Sequence, residues 1–99
     1  VYSATKAAIN KIADIAVNEL AERKIRVNIV SPGPIKTPGL ESVASPEALT
    51  YLASKNALQR LGTADEVAST VLFLASEAAS YINGADIAVD GGSLQYMLQ

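Results

Sequence analysis

An α/β fold is predicted by three observations. Apolar residues recur with helical period over the first twenty or so positions, and two short β-branched runs, residues 25–30 and 86–89, are each cut off by glycine or proline. Two helix-start signals lie between those runs. A strand, a helical crossover and a second strand make a βαβ unit, expected to be parallel and right-handed.

The first helix is expected over residues 3–23. Ala8, Ile9, Ile12, Ala13, Ile15, Ala16, Val17 and Leu20 recur at three- and four-residue steps, with Lys11, Asp14, Asn18 and Glu22 opposite. Small Ala and β-branched Ile on that face permit close approach, so a second helix is expected to dock there. Residues 25–30 read as a strand, with Ile25, Val27 and Ile29 on one face. Ser31-Pro32-Gly33-Pro34 is expected to stop it, because proline cannot donate to a ladder. A rigid loop at the C-terminal end of a strand is where open α/β sheets bind ligands. Residues 36–45 are expected to continue as loop. Ser45 then serves as N-cap and Pro46 as first helical residue of a short helix ending near Ser54. Thr63-Ala64-Asp65-Glu66 is a capping box that opens a helix over residues 64–76. Asn83-Gly84 turns the chain into a strand over residues 86–89, and Asp90-Gly91-Gly92 ends it. Residues 93–99 carry no signal.

Composition narrows the partners. The 99 residues allow one domain, and folding at this size buries roughly 60–70% of the unfolded surface. Hydrophobic residues make up 49% and charged ones 18%, an apolar balance for a small domain that points to a buried interface. A net charge of −2 without a basic run argues against nucleic-acid and anionic-membrane partners. The absence of Cys and His removes thiol nucleophiles, disulfides and the commonest metal ligand, so no metal site is expected. No apolar run approaches the ~20 residues that span a bilayer, and no signal peptide is visible. A soluble, cytoplasmic protein is expected.

Tyr2 and Lys6 are the candidate acid–base pair. On a helix their spacing puts a phenol and an ammonium one turn apart on one face, where the cation favours tyrosinate and makes Tyr2 a usable proton donor and acceptor. The spacing alone equally describes a helix-face tyrosine beside a solvated lysine, and Tyr51 and Lys55 repeat it. Context separates the two pairs. Tyr2 opens a long helix that leads into a strand and a Pro-Gly turn, whereas Tyr51 lies in a short segment bracketed by loop signals.

Taken together, Tyr2-x-x-x-Lys6, the strand Arg26-Val27-Asn28-Ile29-Val30, Ser31-Pro32-Gly33 and Thr37 resemble the C-terminal half of a short-chain dehydrogenase/reductase. Leu61-Gly62-Thr63-Ala64-Asp65-Glu66-Val67-Ala68 is similar to that family's Gly-x-x-Glu-Glu-Val-Ala helix start. Tyr81-Ile82-Asn83-Gly84-Ala85-Asp86-Ile87 and Val89-Asp90-Gly91-Gly92 resemble its closing strand and turn. The resemblance implies a single partial domain over residues 1–99, half of a Rossmann-like doubly wound parallel sheet in the order long helix, strand, short helix, helix, strand. It further implies an NAD(P)-dependent oxidoreductase that interconverts alcohol and carbonyl groups of a small molecule by hydride transfer. In that scheme Tyr2 exchanges a proton with the substrate oxygen. Lys6 lowers the tyrosine's pKa and bonds the nicotinamide ribose of NAD or NADP. Pro32, Gly33, Ile35 and Thr37 match the loop that holds the nicotinamide carboxamide, while Asn28 ties strand to loop and is not catalytic. Residues 38–60 match the substrate-binding loop or lid, where Leu40, Val43, Leu49, Tyr51, Leu52 and Leu58 suit an apolar substrate or pack the lid itself.

The same resemblance places the family's catalytic Ser and structural Asn before Tyr2, and the six glycines do not form the Gly-rich fingerprint that cradles a pyrophosphate. An alternative reading is therefore carried alongside the enzyme. By itself the chain is expected to be a non-catalytic, self-associating fragment lacking the dinucleotide-binding half, and the parent a homo-oligomer.

Overall fold

The computed structural model describes residues 2–97, apart from the side chains of Tyr2, Leu94 and Met97. Two compact units divide it: Val1–Ile29 with Phe73–Ile87, and Val30–Leu72 with Ala88–Gln99.

In the first unit, helix α1 spans Tyr2–Glu19, four residues short of its expected end. The chain tightens into a 3-10 turn at Ala21–Arg23, and Lys24 adopts a left-handed conformation with φ 57° whose amide returns to the Ala21 carbonyl. A left-handed residue closes a helix because it aims following amides back at unpaired carbonyls. The broad apolar face of α1 is split. Asn10, Ala13, Ala16, Val17 and Leu20 are half-buried, with Val17 facing the space that a Cβ on Gly84 would enter. Ile9, Ile12 and Ile15 stay 48, 66 and 47% exposed, so the fold covers only part of the face on which a second helix was expected to dock.

Strand β1 runs Ile29–Pro32, displaced from the expected residues 25–30. Residues 25–28 satisfy their polar groups otherwise. The Val27 amide donates to Asn83 Oδ1 at 3.0 Å, Gly84 donates to the Val27 carbonyl at 2.8 Å, and the Arg26 guanidinium reaches the carbonyls of Ile82 and Leu74 at 3.1 and 2.8 Å. Every buried backbone group needs a partner, and here a turn supplies it instead of a ladder. At the other end Ser31 and Pro32 remain in β1, since Gly33 supplies the N–H that Pro32 lacks and donates to Val89 at 2.9 Å.

In the second unit β2 is Ile35–Lys36, and the expected loop over residues 36–45 instead holds helix α2, Pro38–Val43. Thr37 caps it by accepting from the Leu40 amide at 3.2 Å, and Pro38 sits in the first turn. Helix α3, Pro46–Ala53, repeats the device with Ser45 and Pro46, as expected. β3, Gly62–Thr63, pairs in parallel with β2 in the register Ile35 with Gly62. The capping box forms: Glu66 N–H donates to Thr63 Oγ1 at 3.2 Å and Thr63 N–H to Glu66 Oε1 at 2.9 Å. It opens helix α4, Ala64–Ala75.

The closing strand β4 is Asp86–Val89, as the sequence predicts, and pairs with β1. Ile29 donates to Ala85 and Gly33 to Val89. Both partners advance together by four residues, so the strands are parallel. Gly91 and Gly92 turn with φ of 64 and 83°. The tail, expected to be featureless, folds into α5, Ser93–Met97. Among the described residues full burial is confined to Leu74, Ala79 and Asn56.

Candidate active site

The predicted site residues fall into both units. Tyr2 opens α1, and its side chain lies outside the described residues. Lys6, one turn on, lies on the half-buried face of the helix, and its Nζ stands 3.1 Å from Asp86 Oδ2. Sequence reasoning missed Asp86, whose partner is eighty residues away and shares no motif with it. One further turn along, Asn10 Oδ1 is buried without a hydrogen-bond partner among the described residues. Asn28 has the structural role expected of it. Its Nδ2 donates to the Ile82 carbonyl at 3.0 Å and its Oδ1 accepts from Ala85 at 2.9 Å, tying the entry of β1 to the turn before β4.

Pro32, Gly33, Ile35 and Thr37 lie together in the second unit, at the C-terminal end of β1 and through β2. Gly33 permits a close approach: a Cβ there would stand 2.8 Å from Asp90 Cβ. In the β2–β3 ladder the Gly62 amide bonds the Pro34 carbonyl at 3.1 Å. Ladder groups alternate along a strand, so the N–H and C=O of Ile35 point away from β3. One residue thus offers a donor and an acceptor side by side, the complement of a planar carboxamide. Thr37 Oγ1 accepts from Leu40 and keeps its own proton for donation.

Behind β3 a cavity of about 350 Å³, its open mouth included, lies between Pro34, Asn56, Leu58, Arg60, Glu66 and Asp90. Asn56 is 2% exposed and satisfied on both atoms, Nδ2 donating to the Arg60 carbonyl at 2.8 Å and Oδ1 accepting from Leu58 at 3.0 Å. Arg60 grips Glu66 with two parallel bonds of 2.8 Å. Those bonds, then the Thr63 amide, hold the Glu66 carboxyl down at about 2, far below the usual carboxylate range. The sequence offered Glu66 through its capping box, but no periodicity linked Arg60 to it. The second Tyr-x-x-x-Lys has different geometry: the Lys55 ammonium sits 4.6 Å over the ring centre of exposed Tyr51. That is a surface cation–π contact.

A family model described as enoyl-(acyl carrier protein) reductase matches residues 1–93. The chain belongs to the short-chain dehydrogenase/reductase family. Within this family of oxidoreductases it is 45% identical over 94 residues to an uncharacterized oxidoreductase of Methylorubrum extorquens, covering 93% of this chain and 38% of that protein. Among solved structures, a 4-hydroxyisoleucine dehydrogenase mutant complexed with NADH and succinate superposes with a TM-score of 0.82 at 32% identity. ElxO with NADP bound does so with a TM-score of 0.83 at 36% identity. Each alignment covers 95% of this chain and 39% of the other. The chain therefore spans well under half the length of these short-chain dehydrogenases/reductases, and its fold is the Rossmann-type α/β architecture of the family.

Proposed function

We propose that this chain supplies the Tyr–Lys helix and the nicotinamide-facing loop of an NAD(P)-dependent oxidoreductase that interconverts alcohol and carbonyl groups of a small molecule. The observation that carries the reading is the unladdered N–H and C=O of Ile35 at the edge of β2, beside Gly33 and Thr37. These groups hold the carboxamide and orient the ring, and the bound dinucleotide supplies or accepts the hydride. Tyr2 exchanges a proton with the substrate oxygen. Lys6 provides the cation that favours the phenolate, and it bonds the ribose. A free phenol titrates near 10, and a neighbouring cation favours its ionised form. Residues 1–99 form one partial domain of the parent. Residues 38–60, with α2, α3 and exposed Val43 and Leu58, form the lid over an apolar substrate.

Tyr2→Phe in the full-length protein tests the reading, since it removes the phenol and little else. General acid–base groups contribute about 10²–10⁴-fold, and a loss of that size in NAD(P)H-linked carbonyl reduction is expected. Activity within a few-fold of wild type would sink the assignment. A second reading, that the 99 residues by themselves form a non-catalytic, self-associating fragment of a homo-oligomeric parent, is favoured by the exposed Ile9, Ile12 and Ile15.

A further inference from the structure

Asp86 has no part in the chemistry above, yet its carboxylate meets Lys6. Its Oδ2 lies 3.1 Å from Nζ, with 31 and 34% of the lysine and aspartate side chains exposed. Asp86 is the first residue of β4, and the residue before it is held on both sides. The Ala85 amide donates to Asn28 Oδ1 at 2.9 Å, and the Ala85 carbonyl accepts from Ile29 at 2.8 Å. The carboxylate is thus mounted on a strand, whereas the lysine ammonium rides on a flexible four-carbon stem. When a mobile cation meets a strand-mounted anion, the anion sets the position. An ammonium has three N–H donors, and engaging one with Asp86 constrains the directions of the others. Lys11 and Asp14 are exposed on the helix, and Arg26 is committed to the Leu74 and Ile82 carbonyls.

We propose that Asp86 is a positioning residue for Lys6: its carboxylate, carried by β4, orients the ammonium of the Tyr–Lys pair and offsets part of its charge. This rests on the reading of Lys6 as the cation that serves Tyr2. Removing the carboxylate has two consequences. Without that anion the ammonium favours tyrosinate more strongly, and the lysine side chain meets the ribose hydroxyls with less order.

Asp86→Asn, which keeps the shape and removes the charge, tests this in the full-length protein with NADH or NADPH and a carbonyl substrate. The limb of the kcat/KM profile that reports Tyr2 is expected to move to lower pH by about one unit, with the KM for the cofactor raised several-fold. Asp86→Glu restores the carboxylate and returns both readouts toward wild type. A profile superimposable on wild type with an unchanged cofactor KM overturns the inference. So does a uniform loss of activity at an unmoved profile with a lowered melting temperature, the mark of a purely structural residue. Lys6→Met, measured in parallel, separates the two levels of argument. If Lys6→Met leaves activity intact, the Tyr–Lys reading itself fails; if Lys6→Met abolishes activity while Asp86→Asn moves neither readout, the positioning role alone fails.

Discussion

Gly33 joins the ends of β1 and β4 with no room for a side chain. A Cβ there would lie 2.8 Å from Asp90 Cβ and 2.9 Å from Asp90 Cα, and the Gly33 amide is already bonded to Val89, so the backbone cannot retreat without breaking that bond. Gly33→Ala is expected to cost about 1–3 kcal/mol, seen as a lower urea midpoint at an unchanged slope. A midpoint equal to wild type would refute the close approach. Asn56 is the buried counterpart. Asn56→Leu strands the Leu58 amide and the Arg60 carbonyl that Asn56 now satisfies, and about 1–3 kcal/mol of destabilisation is expected by the same measurement. The difference in how these residues could be found in sequence is instructive. Pro32, Gly33, Ile35 and Thr37 stand within six consecutive positions, so a motif exposes them together. Asp86 acquires meaning only through Lys6, and Asn56 through the backbone of residues 58–60 and the glycine at 91 whose missing side chain leaves it room. Folding creates such pairs, and local pattern does not contain them.

At the scale of elements, side chains tie the junction of β3 and α4 together. Glu66 accepts from Arg60, from the Thr63 amide and from the Thr63 hydroxyl, and its folded pKa of about 2 lies below the ordinary value of 4.5. A depressed carboxyl contributes stability that is fully present above its unfolded pKa and is lost as pH falls toward the folded one. The stability difference between wild type and Glu66→Gln is therefore expected to be constant above about pH 5 and to shrink steadily between pH 4.5 and 2. Urea titrations at several pH values check it, and a difference that grew on acidification would reverse the assignment. This capping box was legible because its partners sit three residues apart. Helix α2 was equally legible in principle, since Thr37-Pro38 repeats the Ser45-Pro46 signal that opens α3, but polar and glycine content in residues 36–45 outweighed it. β2 and β3 were not legible at all. Each is two residues long and exists only as a ladder with a segment 27 positions away, so no periodicity can announce it. The shift of β1 has the same origin, because the Asn83 side chain and the Gly84 amide claim the N–H and C=O of Val27 that a ladder would have used.

For the whole molecule, four motifs in order made the parallel α/β architecture legible, while the fate of the apolar surface was not. Helical period identified eight apolar positions over residues 8–20 without saying which of them the fold would cover, and Ile9, Ile12 and Ile15 remain exposed along one side. Burying a large aliphatic side chain is worth roughly 1.5–3 kcal/mol, so three in a row favour self-association of the isolated chain; light scattering is expected to show species larger than a monomer, reduced by Ile12→Glu, and a monomer at high concentration would contradict this. The expected affinity of the isolated chain for a dinucleotide follows a different logic. A micromolar dissociation constant requires about −8 kcal/mol, and the β2 edge offers only a few hydrogen bonds of about 1 kcal/mol each. The strand–turn–helix that does contain paired glycines, β4 through Gly91 and Gly92 to α5, cannot add a phosphate cradle, because the chain fills it. A Cβ on Gly91 would meet Asn56 Oδ1 at 2.7 Å, and one on Gly92 would meet Ala57 Cβ at 3.3 Å. Residues 1–99 alone are therefore expected to bind NADH and NADPH too weakly for a micromolar constant, while the full-length protein binds one of them in that range. Isothermal titration of both proteins decides the matter, and micromolar binding by the 99-residue chain would mean that its own residues build a pyrophosphate site that these contacts exclude.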